Sequence, residues 1–184
     1  MTMRSMGILV MLTIWLPVAA SAQAGSVEWV DIDCRQSRIG PTDGLRCRAT
    51  DKLTNDALST GEGLYRFWNA SGNVGAAKYY YYVAEALSAK ATIVTRQDLA
   101  DVVRGRSPQG WGSANMSDVH QRQDADVVSF ESAAKESCVG IRKTGPEGGS
   151  SAKWVLYATR CVAPGQPVTE SDIAAFVRQA RIRE

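Results

Sequence analysis

The chain reads as an α+β fold: an antiparallel sheet with two or three helices packed on it and disulfide-stapled hairpins. Three observations predict this. Short apolar/polar alternations bounded by Gly and Pro recur along the chain, which is the period of a strand. Four cysteines fall into two pairs, each nearly symmetric about a turn-rich stretch. A strand–turn–strand–capped-helix pattern occurs twice, and helices placed this way pack on a sheet.

Taken in chain order, residues 1–24 read as a secretory signal peptide. Arg4 supplies the positive start, residues 6–18 are a 13-residue apolar core broken by Pro17, and small residues follow. Cleavage fits after Ala22 or after Ala24. Thirteen residues are too few for a membrane span, which needs roughly 20, and no cysteine stands at the cut to take a lipid anchor. Residues 25–184 are then expected to form one α+β domain that carries all four cysteines.

Cys34 and Cys47 flank the turn residues Gly40, Pro41, Asp43 and Gly44; Cys138 and Cys161 flank a Gly/Ser-rich stretch at 145–151. An even cysteine count in an exported chain implies disulfides, and four cysteines allow three connectivities. The symmetry about each turn favours 34–47 and 138–161, as residues facing across a hairpin. A zinc site or redox dithiol is the weaker reading, because there is no C-x-x-C and the single histidine, His120, is distant in sequence. Val30, Ile32 and Cys34 alternate, as do Leu45, Cys47 and Ala49, which gives an N-terminal hairpin.

Residues 94–104 match residues 168–178 at six of eleven positions, with Thr95/Thr169 and Asp98/Asp172 among the identities. The threonines are expected N-caps, and the aspartates suit the positive end of the helix dipole. Leu99, Val102 and Val103 form one apolar face; Ile173, Phe176, Val177 and Ala180 form the other. Gly105 is expected to end the first helix, and Arg178, Arg181 and Arg183 suit the end of the second.

Upstream, residues 78–84 resemble residues 153–158, each after a Gly-rich turn and a strand candidate (63–68 and 138–143). Two pseudo-repeats are therefore expected, at about 62–105 and 137–182. The repeat decides an ambiguous segment: Tyr79, Tyr80, Tyr81 and Tyr82 belong to a strand ending near Glu85, with two tyrosines in the core and two outward. Residues 127–132 are a further strand, which makes about six to eight strands in all.

The charge balance, 21 basic against 19 acidic residues, argues against a nucleic-acid footprint or a polybasic membrane patch. At 45% hydrophobic residues the chain is too apolar for intrinsic disorder. There is no G-x-S-x-G, P-loop, H-E-x-x-H or G-x-G-x-x-G motif, and no cofactor or metal is expected. The long polar stretch 105–126 reads first as a surface linker. Within it, Asp118, His120 and Arg122 would share one face of an extended segment and could bind an anion or a metal, or His120 could act as a general base oriented by Asp118 or Asp124. Asn69-Ala70-Ser71 and Asn115-Met116-Ser117 match the glycosylation sequon, meaningful only in a eukaryotic host.

The segments 137–142, 157–161 and 172–176 together resemble small uncharacterised exported proteins of Gram-negative bacteria. The resemblance covers about 45 residues and carries no assigned activity. It implies a periplasmic location. The sequence thus predicts a periplasmic or secreted protein that binds an envelope protein or small ligand without catalysis. The alternatives are a hydrolase using His120 with Asp118 or Asp124, and a secreted factor acting on a host surface.

Overall fold

The computed structural model describes residues 28–50, 64–89, 91–106, 115–146 and 151–183. The expected signal segment, Gly63 and residues 147–150 of the Gly/Ser-rich stretch lie outside the described residues. The core is one eight-stranded antiparallel sheet. Its strands are β1 (Val30–Ile32), β3 (Arg46–Ala49), β4 (Tyr65–Val74), β5 (Ala77–Ala86), β7 (His120–Arg122), β8 (Ala125–Glu131), β9 (Ser137–Thr144) and β11 (Trp154–Val162). They lie in the order β1-β3-β4-β5-β11-β9-β8-β7. Two short ribbons join distant parts of the chain: β2 (Ile39–Gly40) with β12 (Arg181–Ile182), and β6 (Ile93–Val94) with β10 (Ser151–Ala152). The described residues hold two α-helices, α1 (Leu99–Arg106) and α2 (Glu170–Gln179).

The strand registers repeat across the sheet. Tyr65↔Ala86 in the β4/β5 hairpin occupies the place of Cys138↔Cys161 in the β9/β11 hairpin, and Phe67↔Ala84 that of Gly140↔Thr159. Farther out, Ala49↔Trp68 matches Val127↔Ile141, and Val30↔Ala49 matches His120↔Val127. A local two-fold axis normal to the sheet therefore passes between Tyr82 and Tyr157, which face each other on the two central strands. The equivalent unit is four strands, so it reaches beyond the expected repeats to include β1/β3 and β7/β8. Residues 120–126, expected to lie in a linker, form β7 and the start of β8, and the expected strand at 127–132 is the rest of β8, so the two make the edge hairpin of the second unit.

The helices do not follow this axis. A two-fold normal to the sheet keeps faces, yet α1 and α2 cover opposite ones. Leu99, Val102 and Val103 pack on the face of Phe67, Tyr82 and Phe130, whereas Ile173, Phe176 and Val177 pack on the face of Trp68, Tyr81 and Ile141. Period-two alternation sends successive residues to opposite faces, and here both faces are core. The tyrosine run therefore divides between two buried layers instead of core and solvent. Tyr81 and Tyr82 are buried, and Tyr79 and Tyr80 are half-buried.

The bias for α1 is visible at one pair of equivalent positions. Where β4 carries Phe67, β9 carries Gly140, and a Cβ there would sit 2.9 Å from Val103 Cγ2. The missing side chain makes room for α1 over β9.

The two helix starts differ as well. Thr169 caps α2 with a full capping box, its hydroxyl accepting from the Asp172 N–H and the Asp172 carboxylate accepting from the Thr169 N–H. Thr95 does not cap α1. Asp98 takes that place, accepting from the Ala100 N–H at 2.7 Å through its side chain and from the Val102 N–H at 3.1 Å through its carbonyl. Thr95 instead offers its carbonyl to the Arg142 guanidinium at 3.1 Å. Its identity with Thr169 is thus not matched by its role. Helix α1 runs to Arg106, past the expected stop at Gly105.

Both disulfides are present: Cys34–Cys47 and Cys138–Cys161. Cys138 and Cys161 stand directly opposite on β9 and β11. Cys34 lies just beyond β1, in a single 3-10 turn (Cys34–Gln36), while Ile32 is the residue facing Cys47. In the short-loop range each bridge contributes about 3 kcal/mol by restricting the unfolded chain. No helix of the described residues is long and apolar enough to cross a membrane.

Candidate functional site

A cavity lies on the α2 face, where the C-terminal end of α2, the loop between β2 and β3, and the β4–β5 hairpin meet. Its volume is about 300 Å³, and its walls include Pro41, Leu45, Val74, Tyr79, Tyr81 and Gln179. The tyrosines reach it because they alternate along β5 on the same face. Their rings are parallel, with centroids 6.2 Å apart, and Phe176 tilts against both at 6.1 Å. The floor is therefore an aromatic sandwich locked by the helix. Burial pushes the Tyr81 hydroxyl well above its ordinary pKa, so it stays a neutral hydrogen-bonding group at any physiological pH.

The loop that forms the outer wall is held from three sides. Cys34–Cys47 ties its base. Ribbon β2/β12 joins Gly40 to Arg181 and Ile39 to Ile182. Arg183 then donates to the Cys34 carbonyl and to Thr42 Oγ1, both at 2.9 Å. The loop begins with a cis Gly40–Pro41 peptide, and Gly44 has φ +77°, a backbone conformation that favours glycine. At its other end α2 is anchored by Arg160 of β11, 3.4 Å from Asp172, and by the Arg122–Glu170 ion pair.

A second hollow of about 230 Å³ adjoins the first and is lined by Pro41, Ala175, Arg178, Gln179 and Arg181. Pro41 and Gln179 are common to both. Asp43 lines only the aromatic chamber, and the two arginines line only its neighbour. The equivalent of Tyr79 in the second half is Trp154, whose ring covers Gly145 so closely that a Cβ there would meet it at 2.4 Å. Large pockets with an apolar floor and few polar groups are the usual sites of small-molecule binding. This one offers apolar and aromatic contact and hydrogen bonding.

The residues expected to carry chemistry stand elsewhere. His120 is exposed on edge strand β7, with Nδ1 3.5 Å from the Asp118 backbone carbonyl. Asp124 forms an ion pair with Lys143 at 3.0 Å. No carboxylate of Asp118 or Asp124 is hydrogen-bonded to the imidazole, and none of the three lines either hollow. Among the described residues no three His, Cys, Asp or Glu side chains gather to hold a metal ion. Asn69 of the first sequon is buried, its Nδ2 donating to the Tyr81 carbonyl at 2.9 Å, so it is no acceptor in the folded protein.

The sequence pointed to the tyrosines, the 40–44 turn and the basic end of the last helix, each for a different reason. It did not bring them together. The C-terminal strand β12 does that, and a two-residue ribbon has no periodic signal of its own. No protein-family model, curated protein or solved structure matches this chain.

Proposed function

We propose that the protein is an exported, non-catalytic binding or accessory protein of the cell envelope, and that the aromatic cavity at the end of α2 is where it binds. One observation carries the reading: a cavity of about 300 Å³ floored by Tyr79 and Tyr81 and walled by a loop fixed by a disulfide, a ribbon and Arg183. A site held this firmly loses little freedom on binding, so more of the contact energy becomes affinity. Export is supported by the apolar segment at residues 6–18 and by two disulfides, which persist in oxidising compartments and are rare in the cytosol. The resemblance to small exported proteins of Gram-negative bacteria points the same way and makes the periplasm the expected compartment.

The test is to express the full chain in a Gram-negative host and fractionate it. Periplasmic protein starting after Ala22 or Ala24, free of reactive thiols, supports the reading. Native mass spectrometry of that fraction should show a bound small molecule. A Val74→Trp variant, which places a bulky ring at the exposed cavity mouth, should lose it. Cytosolic protein with the first 24 residues retained overturns export. A folded, unliganded protein that binds no apolar probe with or without Val74→Trp overturns the cavity as the site.

A further inference from the structure

Resting on the cavity reading above, we infer that the ligand is an amphiphilic anion: an apolar body of phenyl to octyl size joined to a carboxylate or phosphate. The apolar part sits against Tyr79, Leu45 and Val74, with buried Tyr81 beneath, and the anionic head lies in the adjoining hollow by Arg178 and Arg181.

The first ground is the division of chemistry between the two hollows. One has aromatic rings at its floor and is walled by Pro41, Leu45 and Val74; the other is lined by two arginines, Arg178 and Arg181. Because they share Pro41 and Gln179, a single molecule of modest length spans both.

The second ground is what the arginines are not doing. Arg38, Arg46, Arg122 and Arg142 each pair with a carboxylate, and Arg183 donates to a carbonyl and a hydroxyl. Among the described residues, the side chains of Arg178 and Arg181 have no ion-pair or hydrogen-bond partner; the same holds for Arg35, Arg48 and Arg96, and what sets Arg178 and Arg181 apart is that they line one hollow. The helix dipole accounts for a cation at Arg178, in the last turn of α2. It does not account for Arg181, which lies past the helix end on β12. Guanidinium groups match carboxylate and phosphate oxygens through paired N–H donors.

Asp43 sets the direction. It lies on the aromatic side only, so an anionic head is repelled from that end and drawn to the arginine end. Both arginines are exposed, so the preference for an anion weakens as salt screens them.

The experiment is calorimetric titration of the oxidised mature chain with four octyl compounds: octanoate, octyl phosphate, 1-octanol and octylammonium. The two anions should bind roughly tenfold more tightly than octanol at low ionic strength and lose most of that margin at physiological salt. The ratio of octanoate to octyl phosphate tells which head group the hollow prefers.

An Arg178→Gln/Arg181→Gln double variant, altered only at exposed positions, should bring the anions down to the octanol level and leave octanol itself unchanged. Asp43→Asn should tighten octanoate. Equal binding of all four compounds, or tightest binding of octylammonium abolished by Asp43→Asn, overturns the anionic class but leaves the cavity as a binding site. No binding of any compound overturns the cavity reading with it.

Discussion

Replacing Gly140 by alanine adds one carbon at the contact between β9 and α1, and its cost is set by two stiff neighbours. An ideal Cβ at this position lies 2.9 Å from Val103 Cγ2, 3.3 Å from Val128 Cγ1 and 3.6 Å from Phe130 Cε1. Ordinary carbon contacts are about 3.5–4.0 Å, so the first two are compressed. Valine has one strongly preferred rotamer in a helix and few in a strand, so neither neighbour swings away cheaply.

Overpacking of this kind costs about 1–3 kcal/mol. Against it stands the gain from removing glycine from a strand interior, about 0.5–1 kcal/mol. The net expectation is a loss of about 0–2.5 kcal/mol, centred near 1 kcal/mol, or a few degrees in Tm for a domain of this size. Urea unfolding with the disulfides intact measures it. The decisive form is a double-mutant cycle with Val103→Ala, which removes the clashing methyl. In that background Gly140→Ala should be neutral or stabilising, giving a coupling on the order of 1 kcal/mol. If Gly140→Ala stabilises the parent protein, or if the two changes add to within about 0.5 kcal/mol, α1 does not press on β9 as described.

Four further expectations follow from the same contacts. Replacing both cysteines of a pair by serine should cost about 3 kcal/mol for 34–47 and slightly more for 138–161, whose loop is longer, by urea unfolding; the 34–47 variant should also lose ligand binding because the cavity wall loses its tie. Arg142→Met removes a guanidinium that holds Asp126 at 2.6 Å and the Gln97 carbonyl at 2.5 Å, so it should destabilise by roughly 1–3 kcal/mol and raise hydrogen exchange in α1. Thr169→Ala breaks the capping box of α2 and should cost about 1 kcal/mol in the same unfolding assay. Hydrogen bonds from Thr169 hold the Asp172 carboxyl below the usual carboxylate pKa; its stabilising contribution is therefore complete above the unfolded value of 3.8 and fades as pH falls through the lower folded value, so Asp172→Asn should flatten the acid limb of the stability–pH curve.

The candidate site shows where reading a sequence stops. Tyr79 and Tyr81 stand out because four tyrosines in a row on a strand must alternate, and which two share a face follows from counting. That their face is covered by Phe176 of α2 does not follow. Arg178 and Arg181 read as the basic end of a helix, which they are, but their common hollow exists only because β12 returns to pair with β2. Asp118, His120 and Asp124 look alike in spacing to a catalytic group, and the edge hairpin instead leaves the imidazole exposed and gives Asp124 to Lys143.

What the sequence by itself determined is the local architecture. Period-two alternation and Gly-rich turns specify the β4–β5 and β9–β11 hairpins, spacing about turns specifies both disulfides, and Thr169 with Asp172 specifies the start of α2. These are decided within a few residues, by sterics and hydrogen bonds that close locally. Tertiary structure alone decided which helix covers which face. The pattern of a helix says that it has an apolar side, not which apolar surface meets it, and the four-strand repeat offers two equivalent surfaces on each face. Shape decides only the place within a face: Gly140 opens one place for α1 where Phe67, on the same face, fills the equivalent one. Helix α2 covers the other face, and its far end meets the 40–45 loop to close the cavity.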